Sequence, residues 1–154
     1  MDTRTTVRLM ALAVVTAGLV WAGTATAACA PELKDRTPQQ VLADHRAALA
    51  AEDWEAARCN FHPDARMISD NGVSEGVDAI IAEFQALATF FGGQVPTVYS
   101  EIVVSILDSD RWMARTLSFI DTTCVDIPDG TDTYVIRKGQ IQSLTTHGFF
   151  VFSC

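Results

Sequence analysis

The hydrophobic pattern of the chain changes once, near Pro96, and this change constrains the fold more than any other feature of the sequence. Before Pro96, apolar residues recur every three to four positions, as they do in amphipathic helices. After it, apolar and polar residues alternate in segments rich in Val, Ile, Thr and aromatic residues, which is typical of strands. Helices followed by strands predict an α+β fold with an antiparallel sheet.

Three helices are predicted ahead of this change. Thr37 and Pro38 supply an N-cap and a first-turn proline for the first helix, and Gly92 follows the last one. A short strand at 65–69 and a turn separate the second helix from the third. The predicted helices cover about residues 37–51, 53–59 and 77–91.

Four strands are predicted after Pro96, and the three helices are expected to cover one face of the curved sheet that they form. No repeat, linker or low-complexity tract divides this part of the chain. Residues 28–154 are therefore expected to form one domain. The predicted strands cover about residues 98–107, 111–124, 131–138 and 139–152.

Residues 1–27 have the pattern of an export signal. Two arginines precede an apolar run at 9–22, and small residues ending at Ala27 suit cleavage by a signal peptidase. The apolar run is short for a bilayer span, so an anchored chain is not expected. A lipoprotein interpretation through Cys29 would want Leu at position 26, where Thr stands. With its Ala-rich composition, the chain is expected to be a bacterial protein, periplasmic or secreted.

The charge of the chain argues against nucleic acid and membranes as partners. The whole sequence has 11 basic and 19 acidic residues. Loss of residues 1–27 removes Arg4, Arg8 and Asp2, so nine basic and 18 acidic residues remain, a net charge of −9. Such a surface repels phosphate and has no basic stripe to release counterions. It also disfavours anionic membranes once the signal is cleaved.

Four cysteines follow the export signal, and an even number in an oxidising compartment predicts two disulfides. Three pairings are open. Cys29 with Cys154 and Cys59 with Cys124 are favoured, because they would join the two ends of the domain and tie a helix end to the sheet. No two cysteines form a close C-x-x-C pair, so no metal site is expected.

Asp70 lies in the stretch MISDNGVSEG, where an apolar strand stops and a turn begins. Asn71 and Gly72 tolerate the left-handed backbone of turns, so a turn explains this aspartate without any chemistry. The alternative is that its carboxylate points into a pocket at the end of the strand.

Several short motifs follow one another along residues 37–152. They are Glu52-Asp53, Phe61 with Asp64-Ala65, Gly76 with Ile80, and Asp129-Gly130 with Tyr134, Gly139 and Ile141. In this order they resemble the nuclear transport factor 2-like superfamily, which includes SnoaL-like polyketide cyclases and ketosteroid isomerases. The resemblance implies a cone-shaped barrel in which three N-terminal helices cover a curved antiparallel sheet and ligands bind inside.

The resemblance also implies site residues. Ketosteroid isomerases use an aspartate at the end of the first strand as base, and Asp70 is its equivalent here, with a pKa expected to be raised by burial. Those enzymes stabilise the enolate with a helix tyrosine and a protonated strand aspartate, whose positions are His45 and Asp132 in this chain. Histidine in place of tyrosine departs from the family pattern. Structural alternatives are a core histidine for His45 and a hairpin residue for Asp132.

Three further residues are candidate ligand contacts. Tyr134 follows Asp132 by two residues, so both side chains leave the strand on one face. His147 lies on the last predicted strand. Arg115 could bind a substrate carboxylate, although pairing with a neighbouring acidic residue is the structural alternative.

The predicted function is proton transfer without a cofactor, of the isomerase or dehydratase/cyclase type, on a small apolar carbonyl compound. No phosphate-binding loop, His-Glu metal spacing or nucleophile elbow occurs, so no cofactor and no metal are expected. The alternative is a non-catalytic module that binds a ligand or dimerises. The apolar stretch Phe149–Phe152 would need cover on both faces, and a homodimer through the sheet would supply it.

Overall fold

The computed structural model of the chain describes residues 29–105, 110–152 and 154. The signal peptide predicted at residues 1–27 lies outside these ranges. Among the helices described, none is long and apolar enough to cross a membrane.

Three α-helices form where the sequence predicts them, after a short 3₁₀ turn at Pro31–Asp35. They are α1 (Pro38–Ala50), α2 (Trp54–Arg58) and α3 (Val77–Phe90). A capping box begins α1, because the Thr37 hydroxyl accepts from the Gln40 N–H and the Gln40 side chain accepts from the Thr37 N–H. The carboxylate of Asp53 caps α2 by accepting from the Ala56 N–H.

The strands form a curved sheet in the order β2-β1-β6-β5-β4-β3, and β7 pairs separately with the start of β5. The α+β class and the cone architecture are confirmed. The sheet is mixed rather than wholly antiparallel, because β1 runs parallel to β6. The strands are β1 (Phe61–Ser69), β2 (Gly72–Glu75), β3 (Thr97–Ser105), β4 (Arg111–Ile120), β5 (Val125–Arg137), β6 (Gln140–Gly148) and β7 (Val151–Phe152).

The first strand begins at Phe61 instead of at the predicted residue 65, so His62 and Pro63 lie within β1. The turn predicted after Ser69 joins β1 to β2, with Ser69 paired to Gly72.

The hydrophobic core lies between α1, α3 and the concave face of the sheet. Its largest side chains are almost fully buried, and burial of each contributes roughly 1.5–3 kcal/mol relative to exposure. They are Leu42, Phe61, Met67, Ile80, Ile136, Ile141 and Leu144. Helix α1 therefore presents its apolar face, His45 included, to the inside of the cone.

Two disulfides form, but the favoured pairing was wrong: Cys29 pairs with Cys59, and Cys124 pairs with Cys154. Each joins residues 30 positions apart. The second pairing follows from an unpredicted strand contact, in which Val125 lies opposite Phe152 and so brings the neighbouring cysteines together. The two ends of the domain are therefore tied to different parts of the fold.

Candidate functional site

A cavity of about 150 Å³ lies inside the cone, between α1, α3 and the concave face of β4, β5 and β6. That volume is similar to a cavity that holds one benzene ring. Within the described ranges, no lysine or arginine lines it. Its apolar lining includes Leu49, Trp54, Phe84, Leu87, Phe91, Ile120, Ile127, Leu144 and Phe150.

Strand register places a row of polar side chains at the deep end of this cavity. Thr116 of β4 lies opposite Asp132 of β5, which lies opposite Thr146 of β6. Tyr134 follows two residues along β5 and leaves the strand on the same face. Asp132 and Tyr134 therefore enter the cavity side by side, as the sequence predicts.

Asp132 sits in a hydrogen-bonded but poorly solvated position. Burial raises the pKa of its carboxyl, and hydrogen bonds with Thr146, Thr116 and Tyr134 oppose that rise without cancelling it. The Thr116 hydroxyl lies 3.5 Å from Asp132 Oδ2. The uncharged acid is thus easier to form here than on an exposed aspartate.

Tyr134 is 5% exposed, and burial together with the nearby Asp132 raises the pKa of its phenol well above the ordinary value. It therefore stays a neutral hydroxyl at physiological pH. A neutral phenol is a hydrogen-bond donor, which suits both the Asp132 carboxyl and a ligand oxygen.

His45 lines the same end of the cavity and is 1% exposed. Its ring packs edge-on against Phe61, Phe84 and Tyr134, with centroid distances of 5.2, 5.4 and 6.0 Å. Burial, followed by repulsion from Arg46, lowers its pKa to about 4, so the ring is neutral at pH 7.

Neither ring nitrogen of His45 has a hydrogen-bond partner in the part of the chain that the structure describes. A buried polar group without a partner costs roughly 1–3 kcal/mol. His45 is therefore buried as a core histidine is, but the described residues leave its ring nitrogens without a partner. A neutral imidazole has one donor and one acceptor nitrogen, and both are free for a ligand here.

Asp70 lies at the cavity mouth, where its side chain is 46% exposed. His147 Nδ1 lies 2.9 Å from Asp70 Oδ1, and the Gly148 N–H lies 3.5 Å from Oδ2. These contacts, the His147 hydrogen bond above all, lower the pKa of Asp70. The expected rise by burial was wrong.

Strand alternation explains the exposure of Asp70. Met67 is fully buried and Ile68 is 49% exposed, so Ser69 is the next side chain to face inward. Because β1 runs parallel to β6 and Ile68 pairs with Thr145, Asp70 comes level with His147 at the end of the sheet. His147 thus reaches the mouth of the cavity but not its deep end.

Arg115 lies on the opposite face of the sheet from the cavity. Its neighbours Ala114 and Thr116 are 0% and 1% exposed, whereas Arg115 itself is exposed. The structure therefore does not bring Arg115 to the other predicted site residues.

Glu83 of α3 lines the cavity and was missed by the sequence interpretation. The hydroxyls of Ser69 and Ser74 donate to its two carboxylate oxygens, at 2.5 and 2.6 Å. Its position three residues after the buried Ile80 was the available signal, because it puts a carboxylate on the apolar face of α3. The described residues include no group of three or more His, Cys, Asp or Glu placed to hold a metal ion.

The sequence model of the SnoaL-like domain family matches residues 42–144. The chain therefore belongs to the SnoaL-like domain family, as the sequence motifs predict. No curated protein matches the sequence significantly.

Solved structures share the fold. A protein from Shewanella frigidimarina, provisionally assigned as a ketosteroid isomerase, superposes with a TM-score of 0.62 at 14% identity, over 73% of this chain and 96% of its own. A protein of unknown function from Nostoc punctiforme superposes with a TM-score of 0.61 at 16% identity, over 72% of this chain and 87% of its own. A protein from Sinorhizobium meliloti, provisionally assigned as a polyketide cyclase, superposes with a TM-score of 0.56 at 19% identity, over 74% of this chain and 97% of its own. At these identities the likeness shows the fold alone.

Proposed function

We propose that the protein binds a small, largely apolar molecule that carries a carbonyl or hydroxyl oxygen, and that this oxygen lies at the deep end of the cavity. The two unpartnered nitrogens of His45 are the observation that carries the proposal, since a ligand oxygen would satisfy one of them. Asp132 and Tyr134 add further hydrogen-bonding groups to the same end. The absence of lysine and arginine from the described lining disfavours a ligand with a carboxylate or phosphate.

We also propose that the cavity catalyses proton transfer without a cofactor, of the isomerase, dehydratase or cyclase type. Removal of a proton beside a carbonyl leaves negative charge on its oxygen, which the neutral His45 N–H, the Tyr134 hydroxyl and, when it is protonated, Asp132 can stabilise by donating hydrogen bonds. The provisional assignments of the two structural neighbours belong to the same reaction class.

Within this proposal the base is Glu83 rather than Asp70. The two serine hydroxyls hold the Glu83 carboxylate on the cavity wall, and each oxygen keeps a lone pair free to accept a proton. The Asp70 carboxylate lies at the exposed mouth and is bonded to His147, which lowers its pKa, so Asp70 is poorly placed to take a proton from a molecule inside the cavity.

A non-catalytic binding and dimerisation module is the second candidate function. The outer face of β3 and β4 carries a group of exposed apolar side chains. They are Ile102, Val104, Met113 and Phe119, whose exposed fractions are 58%, 40%, 37% and 39%. A second copy packed on this face would cover it, and dimerisation is compatible with a ligand in the cone. We further propose export by a bacterium, which the two disulfides and the sequence pattern of the leader support.

Binding is tested by nitrogen NMR of the histidines in the mature chain, residues 28–154. Three histidines are present, and 4-chlorophenol serves as a probe because its oxygen resembles an enol oxygen. We expect the ring signals of His45 to move on titration while those of His62 stay. Unchanged His45 signals at saturating probe would refute the proposed site.

Catalysis is tested by following the conversion of cyclohex-3-enone to the conjugated enone by ultraviolet absorbance. We expect turnover by the wild type and a loss of at least about 100-fold in Glu83→Gln, the range of general-base contributions. Asp70→Asn is the matched control and should retain the rate. Binding of the probe without turnover would instead favour the non-catalytic module.

A further inference from the structure

We propose that Phe150 forms the outer wall of the cavity and limits the length of the ligand, and that the Cys124–Cys154 disulfide holds it there. Phe150 belongs to a C-terminal strap, defined as residues 149–152 with Cys154. The inference rests on the proposed function in one respect only, namely that the cavity binds a small molecule.

The strap closes the cavity by aromatic contact with the end of α3. The ring of Phe150 is stacked on that of Phe91, 6.2 Å away and 3° from parallel, and lies edge-on to Phe90 at 6.3 Å. Phe150 and Phe91 both line the cavity, together with Val95 and Pro96 from the segment after α3. Two segments distant in sequence thus build one wall of the mouth.

Among the described residues, backbone pairing holds the strap to the sheet through two residue pairs, between β7 and the start of β5, and a ribbon this short is marginal by itself. Cys124 and Cys154 close the same ribbon covalently. Because the disulfide limits the freedom of the strap, it keeps Phe150 against Phe91.

The ribbon formed by β7 and the start of β5 lies close to the end of β6. Ile127, which lines the cavity, sits over Gly148, where an added Cβ would lie 3.0 Å from Ile127 Cγ2. A larger residue at Gly148 would force the Ile127 side chain to shift by a few tenths of an ångström. The glycine therefore permits the close approach that places Ile127 and Phe150 at the mouth.

The chain offers matched controls for both parts of the inference. Phe149 is adjacent to Phe150 but is 71% exposed and is absent from the cavity lining. The Cys29–Cys59 disulfide has the same sequence separation as Cys124–Cys154, 30 positions. Its two cysteines do not line the cavity. Each control removes a similar group without touching the mouth.

The first experiment measures the affinity of 4-alkylphenols of increasing chain length for the oxidised mature protein. In the wild type we expect affinity to fall once the alkyl chain meets Phe150. In Phe150→Ala, and in the double variant Cys124→Ser with Cys154→Ser, the longest phenols should bind at least about tenfold tighter, a typical effect of a methylene-sized clash. Phe149→Ala and the double variant Cys29→Ser with Cys59→Ser should match the wild type.

The second experiment needs no ligand and so separates this inference from the proposed function. Trp54 lines the cavity, and in a Trp112→Phe background it is the only tryptophan of the mature chain. Acrylamide should quench its fluorescence more strongly in Phe150→Ala than in Phe149→Ala. Equal quenching, or an unchanged length limit for the phenols, would overturn the inference. Increased quenching in a protein that binds no phenol would uphold the strap and refute the proposed function alone.

Discussion

The deep end and the mouth of the cavity contain the same two residue types in opposite states. At the deep end, His45 is buried without a hydrogen-bond partner among the described residues, and burial raises the pKa of Asp132. At the mouth, His147 is exposed and bonded to Asp70, whose pKa is lowered by that bond. The two carboxyl groups differ because loss of water dominates at the buried Asp132, whereas the bond to His147 dominates at the exposed Asp70.

This contrast favours the deep end of the cavity over the mouth as the place of ligand binding or catalysis. The mouth pair satisfies its own hydrogen bonds and has no need of a ligand. The deep end has, within the described part of the chain, two ring nitrogens of His45 without a partner and a carboxyl whose pKa is raised by burial, which is the pattern of a binding or catalytic site. The experiments below separate the two ends, in order of decreasing effect.

The largest effect expected is the pH dependence of stability caused by His45. The unfolded histidine takes up a proton near pH 6.5 and the folded one only near pH 4, so the unfolded state binds more protons between these values. Lowering the pH from 6.5 to 4 should therefore remove up to about 3 kcal/mol of the free energy of unfolding through this residue. Urea unfolding at a series of pH values measures it.

The control for this effect is His45→Phe, which keeps an aromatic ring and removes the titration. Asp132 acts in the opposite direction, because its raised pKa lets the folded state take up a proton first as the pH falls. The difference between wild type and variant isolates His45. An identical pH dependence in both would show that His45 titrates normally.

Asp132→Asn is expected to lower the free energy of unfolding by about 1–3 kcal/mol, because Thr116, Thr146 and Tyr134 lose a carboxylate acceptor. It should also weaken binding of 4-chlorophenol. Asp129→Asn is the matched control on the same strand, since Asp129 is exposed and its bond to Tyr99 lies at the surface. Equal losses in both variants would refute a special role for the deep end.

Asp70→Asn should change the free energy of unfolding by less than about 1 kcal/mol, as is usual for exposed ion pairs. Added salt should reduce even this difference. Chemical denaturation at low and high ionic strength measures it. A loss comparable to that of Asp132→Asn would place Asp70 in the core of the site.

The smallest effect expected is that of Arg115→Ala on ligand binding. Because Arg115 lies on the far face of the sheet, the affinity for 4-chlorophenol should stay within about twofold of the wild type, well under 1 kcal/mol. Fluorescence titration of Trp54 measures it. A tenfold loss would mean that Arg115 reaches the cavity.

Much of the fold could be predicted because its signals are local. The cap of α1, the turn after Ser69 and the alternation of β4 and β5 each involve residues a few positions apart. The same alternation correctly put Asp132 and Tyr134 on one face. The family motifs then supplied the cone that joins these elements.

The site was predicted less completely, because alternate side chains of a strand point into and out of the cone, and the sequence does not say which set points inward. Asp70 was placed in the cavity, yet the buried Met67 makes Ser69 the inward residue and leaves Asp70 at the mouth. For Arg115, named only as a candidate ligand contact, parity also decides: it lies one residue from the buried Thr116 and so on the other face. A shift of one position moves a strand side chain to the other face. Glu83 was missed because it lies on α3, whereas its two serine partners lie on the hairpin of β1 and β2.

Periodicity, helix caps and an even cysteine count are local features of the sequence, and they were enough to predict the α+β class, the helix ends and the presence of two disulfides. The pairing of Cys124 with Cys154, the position of Phe150 at the mouth and the lack of a hydrogen-bond partner for His45 among the described residues became visible only in the folded chain. Each of these depends on contacts between distant segments. Burial and pairing arise only after the chain has folded, and they set the pKa values and the unsatisfied groups from which a site is built.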